Sequence, residues 1–189
     1  MSLLRQGLPD NAKLVFKGFM FEVWQWEQKM FDDSTEIFEK IWRPSTVHVL
    51  PIVGDKIIIE DQDQPDKPNF VSLVCGRADD ETDMLVEAKR EMLEETGYIS
   101  DDWELFLEDK KRGKILWDSF YYIARNCKKI KEQELDAGER ISPRHVSFDE
   151  FLDLLDEPRF RIAVEFKMFL QELRYDEIKK EAFRKQLFA

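Results

Sequence analysis

The spacing of hydrophobic and polar positions predicts a series of strands in the first third of the chain. Residues 14–27 alternate roughly and are rich in Phe, Val and Trp, which is typical of a strand. Residues 36–42 predict the returning strand of an N-terminal hairpin. The nearly continuous apolar runs at 47–53 and 56–60 predict a second strand pair, joined across a Gly-Asp turn. The polar, proline-containing residues 61–69 predict a loop.

The rest of the chain mixes strands with helices. Four further strands are predicted, at 70–74, 103–108, 116–126 and 144–147. A helix is predicted to end at Gly97, and another to begin after Ser147, where Ser and Glu three residues apart form a capping box. Residues 160–188 carry apolar side chains at helical spacing and predict one long helix. Strands interleaved with helices, some joined by hairpins, indicate a mixed α/β sandwich.

Composition restricts the class of protein. The chain has 189 residues, 43% of them hydrophobic, so we expect one domain over 1–189, with a strand hairpin at 1–45 and the core at 46–189. Its net charge of −11 opposes binding to nucleic acid or an anionic membrane, and no apolar run approaches the roughly 20 residues of a membrane span. The N-terminus lacks the apolar core of a signal peptide, and two unpaired cysteines fit a reducing, cytoplasmic location.

The run REMLEETGY at residues 90–98 carries the clearest chemical signal. On a helix, Glu91, Glu94 and Glu95 lie on one face within a single turn. Like charges at this spacing weaken a helix by a few tenths of a kcal/mol per pair, so a cation is expected beside them. Oxygen-only ligands suit a hard divalent ion such as Mg²⁺ or Mn²⁺.

The alternative interpretation is a solvated acidic helix face without a ligand. Against it, Leu85, Ala88 and Met92 form an apolar stripe that fixes the orientation of the helix by burial. Arg90 lies between glutamates and can hold one carboxylate in place. The acidic face is therefore predicted to have a fixed place in the fold.

Strand, glycine, acidic loop and acidic helix follow one another here in the spacing of a known motif. From Gly76 to Tyr98 the sequence resembles the Nudix box, G-x5-E-x7-R-E-U-x-E-E-x-G-U, in which U is apolar or aromatic. One position departs, since Thr82 stands where the box has its first Glu. In the family, metal binding rests on the second glutamate cluster, which is complete in this chain.

The order of elements over nearly the whole chain resembles one branch of that family, the ADP-ribose pyrophosphatases and related nucleoside diphosphate sugar hydrolases. Further marks are the aromatic segment 16–21, the segment 38–43 and the run LDAGERI at 135–141. The resemblance implies an α/β/α sandwich with a mixed central sheet and an additional N-terminal antiparallel strand hairpin. It also implies a homodimer in which the N-terminal strands help to build the partner's active site.

The resemblance assigns roles to the residues of the box. Glu91 and Glu95 are expected to bind Mg²⁺, or Mn²⁺, together with the backbone carbonyl of Cys75. Glu94 is expected to bind a second ion or to orient water. Arg90 is expected to position a glutamate. The general base is expected from the loop before the last strand.

For that general base, Glu139 is the first choice, because Gly138 lets the loop turn and because it matches the family motif. Three neighbours remain open alternatives for the same role, namely Glu132, Glu134 and Asp136. An ordinary exposed loop glutamate is the non-catalytic interpretation of Glu139.

Substrate contacts are assigned by the same resemblance. Phe38 would stack on the base and Arg43 would contact the ligand, although a strand Phe also fits the core and Arg43 also fits a surface ion pair. Gln64 stands where many relatives carry a phosphate-binding Arg. Phosphate affinity is then expected from the metal, Arg77, Arg43 or the basic segment 110–112.

The predicted function is a Mg²⁺-dependent hydrolase that cleaves the pyrophosphate bond of a nucleotide sugar, ADP-ribose for preference, to AMP and ribose 5-phosphate. One alternative keeps the chemistry and changes the substrate to a GDP-sugar, NADH or another dinucleotide. Another alternative is a noncatalytic module that binds a nucleotide and regulates another protein. Thr82 favours that module, whereas the complete glutamate cluster favours catalysis.

Overall fold

The computed structural model describes residues 5–78 and 83–189. Its first three strands form an antiparallel meander of β1 (Lys13–Lys17), β2 (Glu22–Lys29) and β3 (Thr35–Trp42). The predicted N-terminal hairpin is present as β2 and β3. The single strand expected over 14–27 is instead two strands, because the chain turns at Gly18, whose N–H donates to the carbonyl of Phe21 at 2.8 Å.

Four strands follow, β4 (Thr46–Val53), β5 (Lys56–Gln64), β6 (Lys67–Ser72) and β7 (Val74–Arg77). The loop predicted over 61–69 is wrong, since β5 continues through this polar segment and returns as β6. Backbone pairing explains the difference: Gln62 pairs with Phe70 on one side and with Ile141 on the other. A strand with partners on both sides is stable without an apolar pattern of its own.

The box helix and the remaining strands come next. They are α1 (Met84–Thr96), β8 (Tyr98–Ile99), β9 (Asp102–Arg112), β10 (Ile115–Arg125), β11 (Lys128–Lys129) and β12 (Arg140–Val146). The basic segment 110–112 belongs to β9, where Lys110 pairs with Asp118 and Arg112 with Leu116 of β10.

The C-terminal part is helical, with α2 (Phe148–Asp153), a short 3₁₀ turn (Leu154–Asp156), α3 (Val164–Tyr175) and α4 (Glu177–Leu187). The predicted capping box of Ser147 and Glu150 is present at α2. The single helix expected over 160–188 is two helices. Asp176 leaves the helical conformation (φ −122°) and its side chain caps α4 by accepting from the N–H of Lys179. None of the helices in the described part of the chain is long and apolar enough to cross a membrane.

Ten of the strands in the described ranges form one mixed sheet. Its main path runs β1-β2-β3-β10-β4-β5-β12, and β6, β7 and β9 pair with β5, β4 and β10. Strand β10 is parallel to both β3 and β4. Tyr121 and Ile123 of β10 pack under α2, α3 and α4, whereas Tyr122 and Ala124 pack under α1. The expected α/β/α sandwich with a mixed central sheet is therefore confirmed.

Candidate active site

Helix α1 presents its glutamates to the edge of β7. The helix begins at the cap Asp83, whose carboxylate accepts from the N–H of Leu85 at 2.8 Å. It ends at Gly97, as predicted, with φ 76°, a conformation that glycine adopts readily. Ala88 and Met92 are fully buried against the sheet, which fixes the rotation of the helix. Its acidic row, which consists of Glu91, Glu94 and Glu95, is thereby directed at the strand that carries Cys75 and Gly76.

Two contacts join that row to β7. The backbone N–H of Cys75 donates to Oε2 of Glu95 at 3.0 Å. Gly76 lies so close to Glu91 that a β-carbon at this position would overlap the glutamate's carboxyl group. Glycine is required here because a side chain has no space, and not for its backbone conformation, since its φ lies outside the left-handed region.

Arg90 connects the carboxylates along the helix. Its guanidinium lies 2.8 Å from Glu87, 2.5 Å from Glu91 and 2.6 Å from Glu94, measured between nitrogen and oxygen. Arg90 thus pairs with three glutamates, where the sequence suggested that it could hold one.

A further carboxylate, that of Glu60 on β5, lies near this group. Glu60 is fully buried; its Oε2 accepts from Nε2 of Gln62 at 2.7 Å, while Oε1 has no hydrogen-bond partner. The sequence interpretation missed it as a site residue, because it stands at the end of an isoleucine run next to an apparent acidic loop. A charged residue directly after three buried isoleucines was the available signal.

Burial and mutual repulsion dominate the electrostatics of the group. Burial, together with the charges of Glu94 and Glu139, raises the pKa of Glu91 to about 7 in spite of Arg90. Burial, and then the charges of Glu60 and Glu91, raise the pKa of Glu95 well above its ordinary value. Burial raises the pKa of Glu139 too, with smaller effects from Asp136 and Glu94. A cation among these carboxylates would relieve the repulsion.

A cleft of about 490 Å³ opens over the acidic row. It brings together predicted residues from the box, from the strand before it and from the loop before β12. Its lining residues are Phe19, Cys75, Gly76, Arg77, Arg90, Glu91, Glu94, Glu95, Glu134, Asp136 and Glu139.

The four residues that the sequence offered as general base lie in the loop before β12 and differ in their surroundings. Glu132 does not line the cleft; its side chain is 89% exposed and pairs with Lys129. Glu134 lines the cleft but is engaged with Lys131 at 2.6 Å. Glu139 is half-buried, and its Oε2 accepts from the N–H of Asp136 at 3.2 Å. The loop thus turns Glu139 and Asp136 toward the glutamates of α1.

Of the two arginines expected to contact substrate, Arg77 lines the cleft and Arg43 does not. Arg77 lines the cleft, with its guanidinium carbon 5.1 Å from the ring centre of Phe19. Arg43 stacks on Trp117 at 4.4 Å and donates to the hydroxyl of Thr46. Burial, and after it the charge of Arg77, lower the pKa of Arg43.

Phe19 is a second residue that the sequence interpretation did not assign to the site. It is 91% exposed and lines both the main cleft and a neighbouring one of about 180 Å³, which also contains Trp42 and Pro44. No sequence signal pointed to Phe19, because residues 14–27 were expected to form one continuous strand.

Other predicted residues lie elsewhere. Phe38 packs against Trp26, with ring centres 6.1 Å apart, and does not line the cleft. Gln64 lines an adjacent cleft of about 410 Å³ that shares Glu139. Thr82 lies outside the described residues.

The basic segment 110–112, suggested from sequence as one source of phosphate affinity, does not line the cleft. Its three side chains form ion pairs within the sheet, because each lies beside an acidic residue on β9 or β10. The pairs are Lys110 with Glu108, Lys111 with Asp109, and Arg112 with Asp118.

The donor set fits a hard divalent cation in chemistry. All of its side-chain donors are carboxylate oxygens, one of them the buried and unpartnered Oε1 of Glu60. Within residues 5–78 and 83–189, however, no three His, Cys, Asp or Glu side chains stand arranged to hold a metal ion. Arg90 engages Glu91 and Glu94, and the Cys75 N–H engages Glu95.

The fold and the cleft define the class of architecture, a mixed α/β sandwich with a carboxylate-lined cleft at one helix. No protein-family model and no curated protein matches the sequence. Among solved structures, the chain is similar to one described as the crystal structure of ADP compounds hydrolase. The two share 19% sequence identity with a TM-score of 0.72, and the match covers 95% of each chain. This likeness establishes the fold.

Proposed function

We propose that this protein is a Nudix-type hydrolase that uses Mg²⁺ to cleave the pyrophosphate bond of a nucleoside diphosphate linked to a sugar, with ADP-ribose as the preferred substrate. The observation that carries the proposal is the row of Glu91, Glu94 and Glu95 directed into a cleft that also contains Arg77. The description of the structural neighbour as a hydrolase of ADP compounds supports the same class of substrate.

The chemistry requires charge neutralisation and an activated water. Glu91, Glu95 and the carbonyl of Cys75 would hold the cation, and Arg90 would keep the glutamates aligned. When bound, Mg²⁺ neutralises charge on the phosphoryl oxygens and lowers the pKa of a water molecule. Arg77 is placed to contact the diphosphate, whose negative charge would otherwise be repelled by the acidic cleft.

Glu139 would accept the proton of the attacking water. The oxygen of that water forms a bond to one phosphorus, and the bond from this phosphorus to the bridging oxygen breaks. ADP-ribose would yield AMP and ribose 5-phosphate. Burial raises the pKa of Glu139 above its ordinary value, which brings a carboxylate closer to the neutral range where a general base is most effective.

A substrate panel tests the proposal. Purified protein is incubated with ADP-ribose, a GDP-sugar or NADH, with Mg²⁺ or Mn²⁺, and the phosphomonoester products are measured as phosphate released by an added phosphatase. Replacing a residue that hydrogen-bonds to a metal ligand lowers activity by about 10–100-fold. Glu95→Gln changes a proposed ligand itself, so its rate of cleavage should fall by about 100-fold or more. Glu172→Gln, on the exposed face of α3, serves as the control.

The panel also separates the alternatives. Faster cleavage of the GDP-sugar or of NADH than of ADP-ribose would change the substrate and keep the reaction. Binding of ADP-ribose without cleavage, with either cation and at any pH, would establish a noncatalytic nucleotide-binding module instead.

We further infer that two copies associate through the N-terminal meander. Its strands expose large apolar side chains, among them Leu14 (44% exposed), Phe16 (58%) and Ile37 (60%). Exposed apolar side chains of this kind on β1 and β3 are typical of an interface between copies.

A further inference from the structure

Glu60 lies at the point where β5 passes beneath the acidic row. Alternate residues of a strand face opposite sides of the sheet. Ile57 and Ile59 pack in the core under α2, α3 and α4. Glu60 and Gln62 therefore face the other side, which is covered by α1 and its glutamates.

The two oxygens of Glu60 have different surroundings. Oε2 accepts from Nε2 of Gln62 at 2.7 Å, and the same Nε2 lies 2.9 Å from the hydroxyl of Ser72. Oε1 is equally buried and has no partner among the described residues. An unpartnered carboxylate oxygen in the interior is costly unless something binds it. Gln62 holds the carboxylate from one side, which leaves the free oxygen on the other.

The charged groups around Glu60 are those of the active site. The carboxylates of Glu139 and Glu91 act on it electrostatically. Among the charges near Glu95, that of Glu60 has the largest effect on the pKa of Glu95. Arg90 pairs with the glutamates of its own helix, and no ion pair to Glu60 is found in residues 5–78 and 83–189. Glu60, like Glu95 and Glu139, therefore lacks an ion pair with a cationic side chain among the described residues.

We propose that Glu60 is a further residue of the cation site, adding its free Oε1 and its negative charge to the carboxylates of α1 that bind the divalent ion. The inference rests on the proposed function and extends it to a residue outside the helix motif. Gln62 is then a positioning residue that orients Glu60 through their hydrogen bond.

Metal binding by the full chain tests the proposal without any substrate. Free Mn²⁺ is measured by electron paramagnetic resonance while the ion is titrated into wild type, Glu60→Gln and the control Glu172→Gln. Glu60→Gln keeps the size of the side chain and removes its charge, and its Kd should rise about tenfold or more, as for other residues that support a metal site. Glu172→Gln should bind Mn²⁺ like the wild type.

Thermal unfolding in EDTA at pH 8 provides an independent readout. Glu60→Gln should raise the Tm, because it removes a buried, unpaired acid from a repulsive group, and Mg²⁺ should then raise the Tm less than in wild type. Should Glu60→Gln fail to fold, Glu60→Asp replaces it. That variant keeps the charge, retracts the oxygen and should bind Mn²⁺ more weakly than wild type.

The outcomes separate this inference from the proposed function. An unchanged Kd in the Glu60 variant overturns the role of Glu60 and leaves the hydrolase proposal standing. Tight Mn²⁺ binding that depends on Glu60, in a protein that cleaves no nucleotide, supports the site and overturns the hydrolase. Absence of Mn²⁺ binding by the wild type overturns both.

Discussion

Gly76 and the carboxyl group of Glu91 are in direct contact, and no other residue type fits at this position without moving the glutamate. The contact sets the distance between the strand that carries the Cys75 carbonyl and the helix that carries the carboxylates. The spacing of the proposed cation site therefore depends on a missing side chain.

We expect Gly76→Ala to weaken Mg²⁺ binding while the protein stays folded. The added methyl group displaces the carboxylate of Glu91, whose flexible side chain can swing aside, so the loss should be about tenfold in affinity. Titration calorimetry measures the affinity, and the Tm measures folding. Gly113→Ala is the matched control, because a β-carbon at Gly113 meets nothing within 4 Å. Equal affinities in the two variants would show that the contact has no role in the site.

Glu139→Gln should lower kcat by about 10²- to 10⁴-fold, the usual contribution of a general base. Its Mn²⁺ affinity should change much less than that of Glu95→Gln. Glu132→Gln is the control, since Glu132 lies on the same loop but outside the cleft. Steady-state kinetics with ADP-ribose measure the effect. A larger loss in Asp136→Asn or Glu134→Gln would move the role of base to that residue.

Arg77→Ala should raise KM for ADP-ribose and leave Mn²⁺ affinity unchanged. A hydrogen bond to a charged group contributes about 1.5–3 kcal/mol, which corresponds to about tenfold or more in KM. Arg112→Ala is the control, because Arg112 is paired with Asp118 within the sheet. An unchanged KM would exclude Arg77 from diphosphate binding.

The free energy of unfolding in EDTA should fall as pH rises toward 7. In the folded protein the pKa of Glu91 is about 7, against an ordinary value of 4.5, so the folded state binds this proton more tightly than the unfolded state. This contribution to stability is complete below pH 4.5 and is lost as pH passes through 7. Urea unfolding at several pH values measures the slope.

Two variations test that explanation. Glu91→Gln should flatten the slope, because its side chain does not ionise, and Mg²⁺ should do the same in wild type by favouring the ionised carboxylates. Glu172→Gln should keep the slope of the wild type. A stability that is constant between pH 5 and 8 in EDTA would contradict the electrostatic account.

Light scattering should give the wild type a mass of twice 22.6 kDa. Ile37→Glu combined with Phe16→Glu should give a monomer, because two charges would have to be buried in the apolar interface. Ile178→Glu, at an 85% exposed position on α4, should remain dimeric. A monomeric wild type would remove the dimer from the proposal.

The elements that the sequence predicted well are those with local signals. Gly97 ends α1, and Ser147 with Glu150 begins α2, because each forms contacts within one helical turn. The strand through 61–64 was missed, since its stability comes from neighbours far along the chain. The break at Asp176 was missed because apolar spacing on both sides of it remained helical.

The site followed the same division. The box predicted the row of Glu91, Glu94 and Glu95 and the position of Arg90, because these residues share one helix. Glu60 could not be placed from sequence, since its meeting with α1 depends on how β5 passes under the helix. Phe38 was expected to stack on the base of the substrate by resemblance alone. In the structure its ring packs against Trp26.

The position of β10 between β3 and β4 has a consequence for synthesis of the chain. Strand β3 joins the rest of the sheet through Ile115 and Leu116, which leave the ribosome long after it. Until these residues are synthesised, the meander of β1, β2 and β3 has no partner strand in the rest of the sheet. Its exposed apolar side chains can then associate with those of other unfolded chains. Because of this topology, we expect chaperones to bind the meander while the chain is still being synthesised.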